Sequence, residues 1–214
     1  PNSGCGSWLW EGQSTNLIPY SELFSNAAWI KSASSTITPN SIISPDGGIN
    51  ASKLTVSNIQ FSGLYLTGNA AFAKYSMSIF AKKGDKDWLY FVNLNGTTII
   101  AWFNISNGTL GTVTNGTATI DDFGNGWYRC SYADSNNVSN NYFQIGLSDA
   151  NNSNQPTTVG YSYIYGAQLE VGNISSYIPT EGTTVTRNQD VCTGGGSSAL
   201  INSTEGTLYA EIAA

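Results

Sequence analysis

The sequence is short of charge and lacks histidine altogether. Only 10% of its 214 residues are Asp, Glu, Lys or Arg, and none is His, whereas about 25% of a typical soluble domain is charged. The absence of histidine excludes Ser-His-Asp triads, histidine general bases and histidine metal ligands. The net charge is −6 with no run of Lys or Arg, so the clustered cations that bind nucleic acid or anionic membranes are missing. We therefore expect no nucleic-acid partner. No apolar stretch approaches the roughly 20 residues of a membrane span, so we also expect no membrane insertion.

Cysteine is also scarce. Cys5, Cys130 and Cys192 are too few and too widely spaced for a disulfide scaffold or a CxxC metal site. Cys130 lies in a run of alternating apolar residues and is predicted to be a buried thiol. Cys5 and Cys192 lie outside the two ends of the strand-rich region, so a bridge between them stays open.

Catalytic carboxylates are hard to find among the 14 acidic residues. Glycoside hydrolysis needs two opposed carboxylates across a bond. Asp121 and Asp122 are neighbours in a predicted strand, and neighbouring side chains of a strand point to opposite faces. Asp149, Glu170 and Glu11 form no evident pair either. We therefore expect a protein that is not an enzyme.

The residues that are abundant indicate an all-β fold. Aromatic residues make up 12% of the chain, and the polar residues are mainly Ser, Thr and Asn, with 23 Gly, a mixture that suits strands and tight turns. Apolar and polar residues alternate in short segments, separated by Asn-Gly dipeptides at Asn95, Asn107, Asn115 and Asn125. The pattern predicts an antiparallel sandwich or barrel. Its predicted strands are residues 74–82, 87–94, 98–104, 109–113, 117–121, 126–133, 141–148 and 161–170. The single helix candidate, residues 21–29, is too short to carry an architecture.

Three segments resemble a family of bacteriophage virion proteins that carry a carbohydrate-binding-module-like domain. They are residues 16–29 (NLIPYSELFSNAAW), 124–130 (GNGWYRC) and 165–170 (YGAQLE), the last continuing through 176–180 (SYIPT). The resemblance implies a jelly-roll-type β-sandwich over residues 16–191, preceded by a connector at residues 1–15. A Gly/Ser linker at 192–200 then leads to residues 201–214, which are similar to the start of a concanavalin-A-like lectin domain.

The same resemblance makes a structural calcium ion a candidate cofactor. Sandwich modules of this kind hold calcium between the N-terminal segment and the final strand through carboxylate and carbonyl oxygens. Glu22 and Glu170 are the candidate ligands. Gly166, however, stands where related modules place an acidic ligand.

Aromatic side chains are the candidate glycan ligands. Sugars stack their C–H faces on aromatic rings and form hydrogen bonds with amide and hydroxyl groups. Trp88, Tyr90, Trp102 and Tyr163 alternate with other apolar residues, so some of these rings must face away from the core. The alternative is that they belong to the core or to a subunit interface.

Together these features predict a non-catalytic virion protein: a fibre, spike or tail component located on the phage particle. Its predicted partners are a host cell-surface glycan, other virion proteins and copies of itself in a homotrimer. Adhesion and pure scaffolding both remain open for such a domain. The alternative function is a carbohydrate-binding module of a secreted polysaccharide-degrading enzyme.

Overall fold

A computed structural model describes residues 10–32, 35–68, 72–92, 99–137 and 141–191. The predicted linker, the second domain, Cys5, Cys192 and Asn95 lie outside these ranges. Within them the chain forms β-strands and no α-helix, so the helix candidate at residues 21–29 is wrong; turns and bends occupy that segment. No described helix has the length and hydropathy needed to cross a membrane.

The strands are numbered in chain order. They are β1 (Ser14–Asn16), β2 (Ile30–Ser32), β3 (Thr36–Ile42), β4 (Ala51–Val56), β5 (Gly63–Gly68), β6 (Tyr75–Lys83), β7 (Trp88–Val92), β8 (Ile99–Asn104), β9 (Thr109–Val113), β10 (Gly116–Asp122), β11 (Trp127–Asp134), β12 (Asn141–Ser148), β13 (Gly160–Val171) and β14 (Val185–Arg187). The eight predicted strands are all present, with ends within two residues of the prediction. Strands β1, β2, β3, β4, β5 and β14 were not predicted.

Two six-stranded antiparallel sheets form the sandwich. The first sheet has the order β10-β11-β6-β13-β4-β3 and the second has the order β2-β5-β12-β7-β8-β9, while β1 and β14 make a separate pair. The chain changes sheet repeatedly, for example at β4–β5, β5–β6, β6–β7 and β11–β12, as jelly-roll connections do. The predicted antiparallel jelly-roll-type β-sandwich is therefore confirmed.

The main hydrophobic core lies between the sheets because alternate residues of each strand point inward. The first sheet contributes Leu54, Met77, Ile79 and Leu169, and the second contributes Leu89, Phe91, Phe103 and Phe143. The predicted buried thiol of Cys130 belongs to this core. Trp29 closes one part of it, with its ring centroid 5.1 Å from that of Phe24 and 5.7 Å from that of Phe143.

The chain divides into two compact units. One is the sandwich, Ser14–Arg187. The other combines the two terminal segments, of which residues 10–13 and 188–191 are described. In that unit Glu11 and Asp190 are joined twice: the Glu11 amide donates to Asp190 Oδ2 at 3.0 Å, and the Asp190 amide donates to the Glu11 carbonyl at 3.0 Å.

Candidate functional site

Three of the four predicted glycan ligands lie together on the outer face of the second sheet. Trp88 and Tyr90 come from β7 and Trp102 from β8, where Tyr90 and Trp102 are opposite each other in the strand register. Tyr90 is completely buried and Trp102 is 7% exposed, whereas Trp88 is half-buried. Most of this aromatic surface is therefore closed to solvent.

The connection between β12 and β13 closes that surface. The Trp102 indole N–H donates to the Ser153 carbonyl at 3.0 Å, and the Thr112 amide donates to Asn151 Oδ1 at 2.9 Å. The Tyr90 ring lies directly against Gly146, where an added Cβ would be 2.1 Å from the ring. These contacts are those of packing residues, and a glycan-binding role for the three rings stays a prediction.

The fourth candidate, Tyr163, lies on the outer face of the first sheet in a longer row of rings. Residues 161, 163 and 165 share this face because side chains alternate along β13. The ring centroids of Tyr161 and Tyr163 are 5.5 Å apart, with the ring planes at 75°. Tyr165 continues the row towards Phe80 at 6.0 Å and Tyr177 at 5.8 Å. These five residues are called the first-sheet aromatic face below.

Exposure increases along the first-sheet aromatic face. Phe80 is 5% exposed and Tyr165 is 4% exposed, whereas Tyr161 and Tyr163 are half-buried. Partial burial raises the pKa of Tyr163, and the neighbouring Tyr161 and Asp85 raise it further. At neutral pH Tyr163 therefore presents an uncharged ring and a hydroxyl group to solvent.

A β-bulge in β13 separates this face from the polar end of the same strand. The register with β6 shifts between Tyr165 and Gln168, and Gly166 takes a positive φ of 60°. A side chain at that position would meet Phe80 and Tyr177, each 3.0 Å from the added Cβ. The bulge explains why glycine occupies this place in the YGAQLE segment, because both the backbone angle and the close ring packing require it.

Two carboxylates flank the buried end of the aromatic face. The Tyr165 hydroxyl lies 2.9 Å from Glu22 Oε1 and 2.8 Å from Asp46 Oδ2. The Tyr177 hydroxyl lies 3.0 Å from the same Glu22 oxygen. Burial, followed by the hydrogen bonds to Asp46 and Glu22, raises the pKa of Tyr165 well above its ordinary value. Tyr165 therefore stays protonated and can donate its one hydroxyl hydrogen to either carboxylate.

No pattern in the sequence indicates that Asp46 and Glu22 share the Tyr165 hydroxyl as a hydrogen-bond partner. The two residues are far apart in the chain and meet only because the β3–β4 connection folds back over the sheet; the Asp-Gly-Gly turn at residues 46–48 is its one local signal. The hydrogen bond from Ser44 does most to hold the pKa of Asp46 well below its ordinary value. A general acid of a glycosidase needs a raised pKa, so Asp46 is unsuited to that role.

A pocket of about 480 Å³ opens beside Glu22. Its other lining residues are Leu23, Asn40, Asn50, Pro179, Thr180 and Glu181. The pocket offers mainly hydrogen-bond acceptors, since its charged groups are both carboxylates.

Glu170, the second candidate calcium ligand, belongs to a different hydrogen-bond network. It is 1% exposed, and its carboxylate accepts hydrogen bonds from the hydroxyls of Ser14 and Ser175 and from the Ser175 amide at 3.0 Å. These partners are not those of Glu22, and the described residues contain no group of three acidic, cysteine or histidine side chains suited to a metal ion. Glu22 and Glu170 have separate hydrogen-bond partners, and a structural calcium held by them stays a prediction.

Comparisons with known proteins give fold-level similarity alone. No protein-family profile matches the chain, and no curated protein matches it. One similar structure is the CBM22-1–GH10 part of Clostridium thermocellum endo-1,4-beta-D-xylanase 10B, complexed with xylohexaose. It is 10% identical, with a TM-score of 0.42, over 79% of this chain and 30% of that one.

A second similar structure is the CBM22-1 xylan-binding domain of Paenibacillus barcinonensis Xyn10C. It is also 10% identical with a TM-score of 0.42, over 78% of this chain and all of that domain. Similarity at this level does not extend to ligands or activity.

Proposed function

We propose that this chain is a non-catalytic glycan-binding domain whose binding surface is the exposed end of the first-sheet aromatic face. The observation that carries the proposal is the pair of half-buried rings of Tyr161 and Tyr163, 5.5 Å apart on one strand of a rigid sheet. Tyrosine suits this task because its ring offers an apolar surface while its hydroxyl can bond with a sugar. The sheet holds the rings in place before a ligand arrives, which lowers the entropy cost of binding.

Alanine substitution of both tyrosines tests the surface. We expect Tyr161→Ala/Tyr163→Ala to weaken binding of a glycan identified on an array by at least about tenfold, since central aromatic contacts dominate such interfaces. Tyr163→Phe retains the ring and should keep most of the affinity. Titration calorimetry measures both effects.

Two control variants separate this surface from the second sheet. Leu110→Ala removes an apolar side chain that is 43% exposed on β9, and we expect no change in affinity. Trp88→Ala tests the half-buried ring of the second sheet. Loss of binding in Trp88→Ala, with full binding in the double tyrosine variant, would move the site to the second sheet.

We further propose that the domain works on a bacteriophage particle, as part of a fibre, spike or tail that contacts the host surface. The resemblance of residues 16–29, 124–130 and 165–180 to phage virion proteins supports this placement. The low charge of the chain, 10% of residues, suits a durable external β domain. Other virion proteins and a host cell-surface glycan are the partners that the proposal requires.

The proposed appendage is a homotrimer, as in the fibres that the sequence resembles. Light scattering coupled to size exclusion should then give a solution mass about three times the 22.8 kDa of one chain. The mass should remain constant on dilution through the micromolar range. A mass of one chain at all concentrations would contradict the trimer without bearing on glycan binding.

A further inference from the structure

Two lysines flank Tyr163 on the first-sheet aromatic face. In the strand register Tyr163 lies opposite Lys82 of β6 on one side and opposite Lys53 of β4 on the other. Residues opposite each other in neighbouring strands point to the same face, with Cβ atoms about 5 Å apart. The three side chains therefore form one row, lysine–tyrosine–lysine, across the sheet.

Both lysines hold their ammonium groups at this surface. Lys53 Nζ lies 5.2 Å from the centroid of the Tyr161 ring, a cation–π distance. Lys82 Nζ donates to the carbonyl of Asn125 at 2.6 Å. Both side chains are half-buried, so the ammonium groups are available to a ligand that lies on the rings.

These cations are not neutralised by ion pairing. In the part of the chain described, Lys83 pairs with Asp87 and Lys86 with Asp149, but neither Lys53 nor Lys82 is paired with a carboxylate. Asp85 is the acidic side chain that acts electrostatically on Tyr163. A chain with net charge −6 and eight cations thus places two lysines that lack a described ion pair beside the half-buried Tyr161 and Tyr163.

We propose that this row selects acidic glycans, with sugar rings on Tyr161 and Tyr163 and sugar carboxylates held by Lys53 and by Lys82. The inference rests on the proposed glycan-binding function and specifies its ligand class. A carboxylate accepts hydrogen bonds from an ammonium group with both partners charged, whereas a neutral sugar hydroxyl offers no opposite charge. The positive row also attracts an anionic polymer towards a protein that otherwise repels it.

A matched glycan array tests the ligand class with the full chain. The array carries oligogalacturonate and its methyl ester, sialyllactose and lactose, and glucuronoxylan and unsubstituted xylan, with dextran sulfate as a polyanion of different chemistry. We expect binding to the carboxylated member of at least one pair, at least about tenfold tighter than to its neutral partner. The affinity should fall as salt rises from 50 to 300 mM, because exposed charges are screened.

Three other results of the array would contradict the acidic preference, the glycan-binding function or both. Binding without a preference for the carboxylated member in any of the pairs would overturn the acidic preference but leave the glycan-binding function intact. Binding to dextran sulfate as tight as to the carboxylated glycans would reduce the row to an unspecific charge effect and also overturn it. No binding to any glycan would overturn both the ligand class and the proposed function.

Lys83, the neighbour of Lys82 in the chain, provides a matched control for Lys53 and Lys82. We expect Lys82→Gln and Lys53→Gln each to weaken binding to the carboxylated probe by about three- to fivefold, the size of an exposed ionic contact. Lys83→Gln removes the same charge one position along β6, on the other side of the strand, and should change affinity by less than about twofold. An equal loss in all three variants would assign the effect to net charge and contradict the row.

Removing the negative charge of Asp85 should change the affinity in the opposite direction. Asp85→Asn should strengthen binding to the same probe by about two- to threefold, since it removes a like charge from beside the sugar carboxylates. A weaker or unchanged affinity would contradict the proposed position of those carboxylates.

Discussion

Replacing Asn16 with aspartate is expected to lower the free energy of unfolding by about 4 kcal/mol, although the two side chains have the same shape. Asn16 is completely buried. Its amide nitrogen donates to the carbonyls of Ala167 at 3.1 Å and Ile178 at 2.8 Å. Its amide oxygen accepts from the backbone amides of Ile18 at 3.1 Å and Leu169 at 3.2 Å.

An aspartate would keep the two acceptor contacts and lose the two donor contacts. Its carboxylate would face two carbonyl oxygens in a completely buried site, so burial would raise its pKa. The penalty should therefore be largest at neutral pH and shrink as the pH falls and the carboxyl group gains a proton. Urea unfolding at pH 7.5 and pH 4.5 measures both the loss and its pH dependence.

Asn107 provides the matched control. It is exposed, and its side-chain oxygen accepts from the Thr109 amide at 3.2 Å and the Thr109 hydroxyl at 2.8 Å, contacts that a carboxylate also makes. Asn107→Asp should change stability by less than about 0.5 kcal/mol. A loss below about 1 kcal/mol for Asn16→Asp would show that the four bonds contribute little.

The second large effect is expected from Asp149→Asn, at about 3 kcal/mol. Lys86 has a side chain that is only 2% exposed, and its ammonium group lies 2.5 Å from Asp149 Oδ1 and 3.1 Å from the Thr158 hydroxyl. Burial alone would raise the pKa of Asp149, but hydrogen bonds from Lys86 and Thr157 outweigh burial and lower it. The substitution leaves a buried ammonium group without a counter-charge, and an unpaired buried charge lowers the free energy of unfolding.

The pH dependence of this pair follows from the lowered pKa of Asp149. Because the folded state favours the carboxylate, the stability that the pair contributes is present above the ordinary aspartate pKa of about 3.9 and is lost as the pH falls below it. Urea unfolding of the native chain and of Asp149→Asn should therefore differ most near neutral pH, and the difference should narrow in acid.

Two further variants make the test specific. Lys86→Met in the Asp149→Asn background removes the buried charge and should recover more than half of the lost stability, because an apolar side chain replaces the unpaired ammonium. Asp87→Asn breaks the ion pair between Lys83 and Asp87, whose side chains are 47% and 44% exposed respectively. This substitution should lower the free energy of unfolding by less than about 1 kcal/mol. A double variant no more stable than Asp149→Asn would contradict the buried-charge explanation.

The strands could be predicted because their signal is local. Tyr75, Met77 and Ile79 alternate towards the main core as the sequence indicates, and Phe80 points to the opposite face. At Asn125 and Gly126 both φ angles are positive, and β10 pairs with β11 in the expected hairpin. At Asn115 the same dipeptide joins β9 of the second sheet to β10 of the first, and there only Asn115 has a positive φ, so one dipeptide serves both a hairpin and a crossing between sheets.

The candidate site could be predicted only in part. Alternation indicated that some of the four candidate rings face away from the core, and Tyr90, Trp102 and Tyr163 lie in clusters outside the main core, but it could not show which outer faces are covered. Ser153 in the β12–β13 connection contacts Trp102, and the Tyr90 ring packs against Gly146, while Tyr161 and Tyr163 stay partly open. Asp46 was missed for the same reason, since it meets Glu22 and Tyr165 only through a loop that folds over the sheet.

The sequence by itself determined the all-β class, the positions of eight strands and the alternation of side chains along them, because these depend on residues one or two positions apart. Only the tertiary structure decided the order of strands in each sheet and the coverage of their outer faces. It also placed Lys53 and Lys82 on either side of Tyr163. Those features depend on pairing between residues far apart in the chain, for which a single sequence carries no local periodicity.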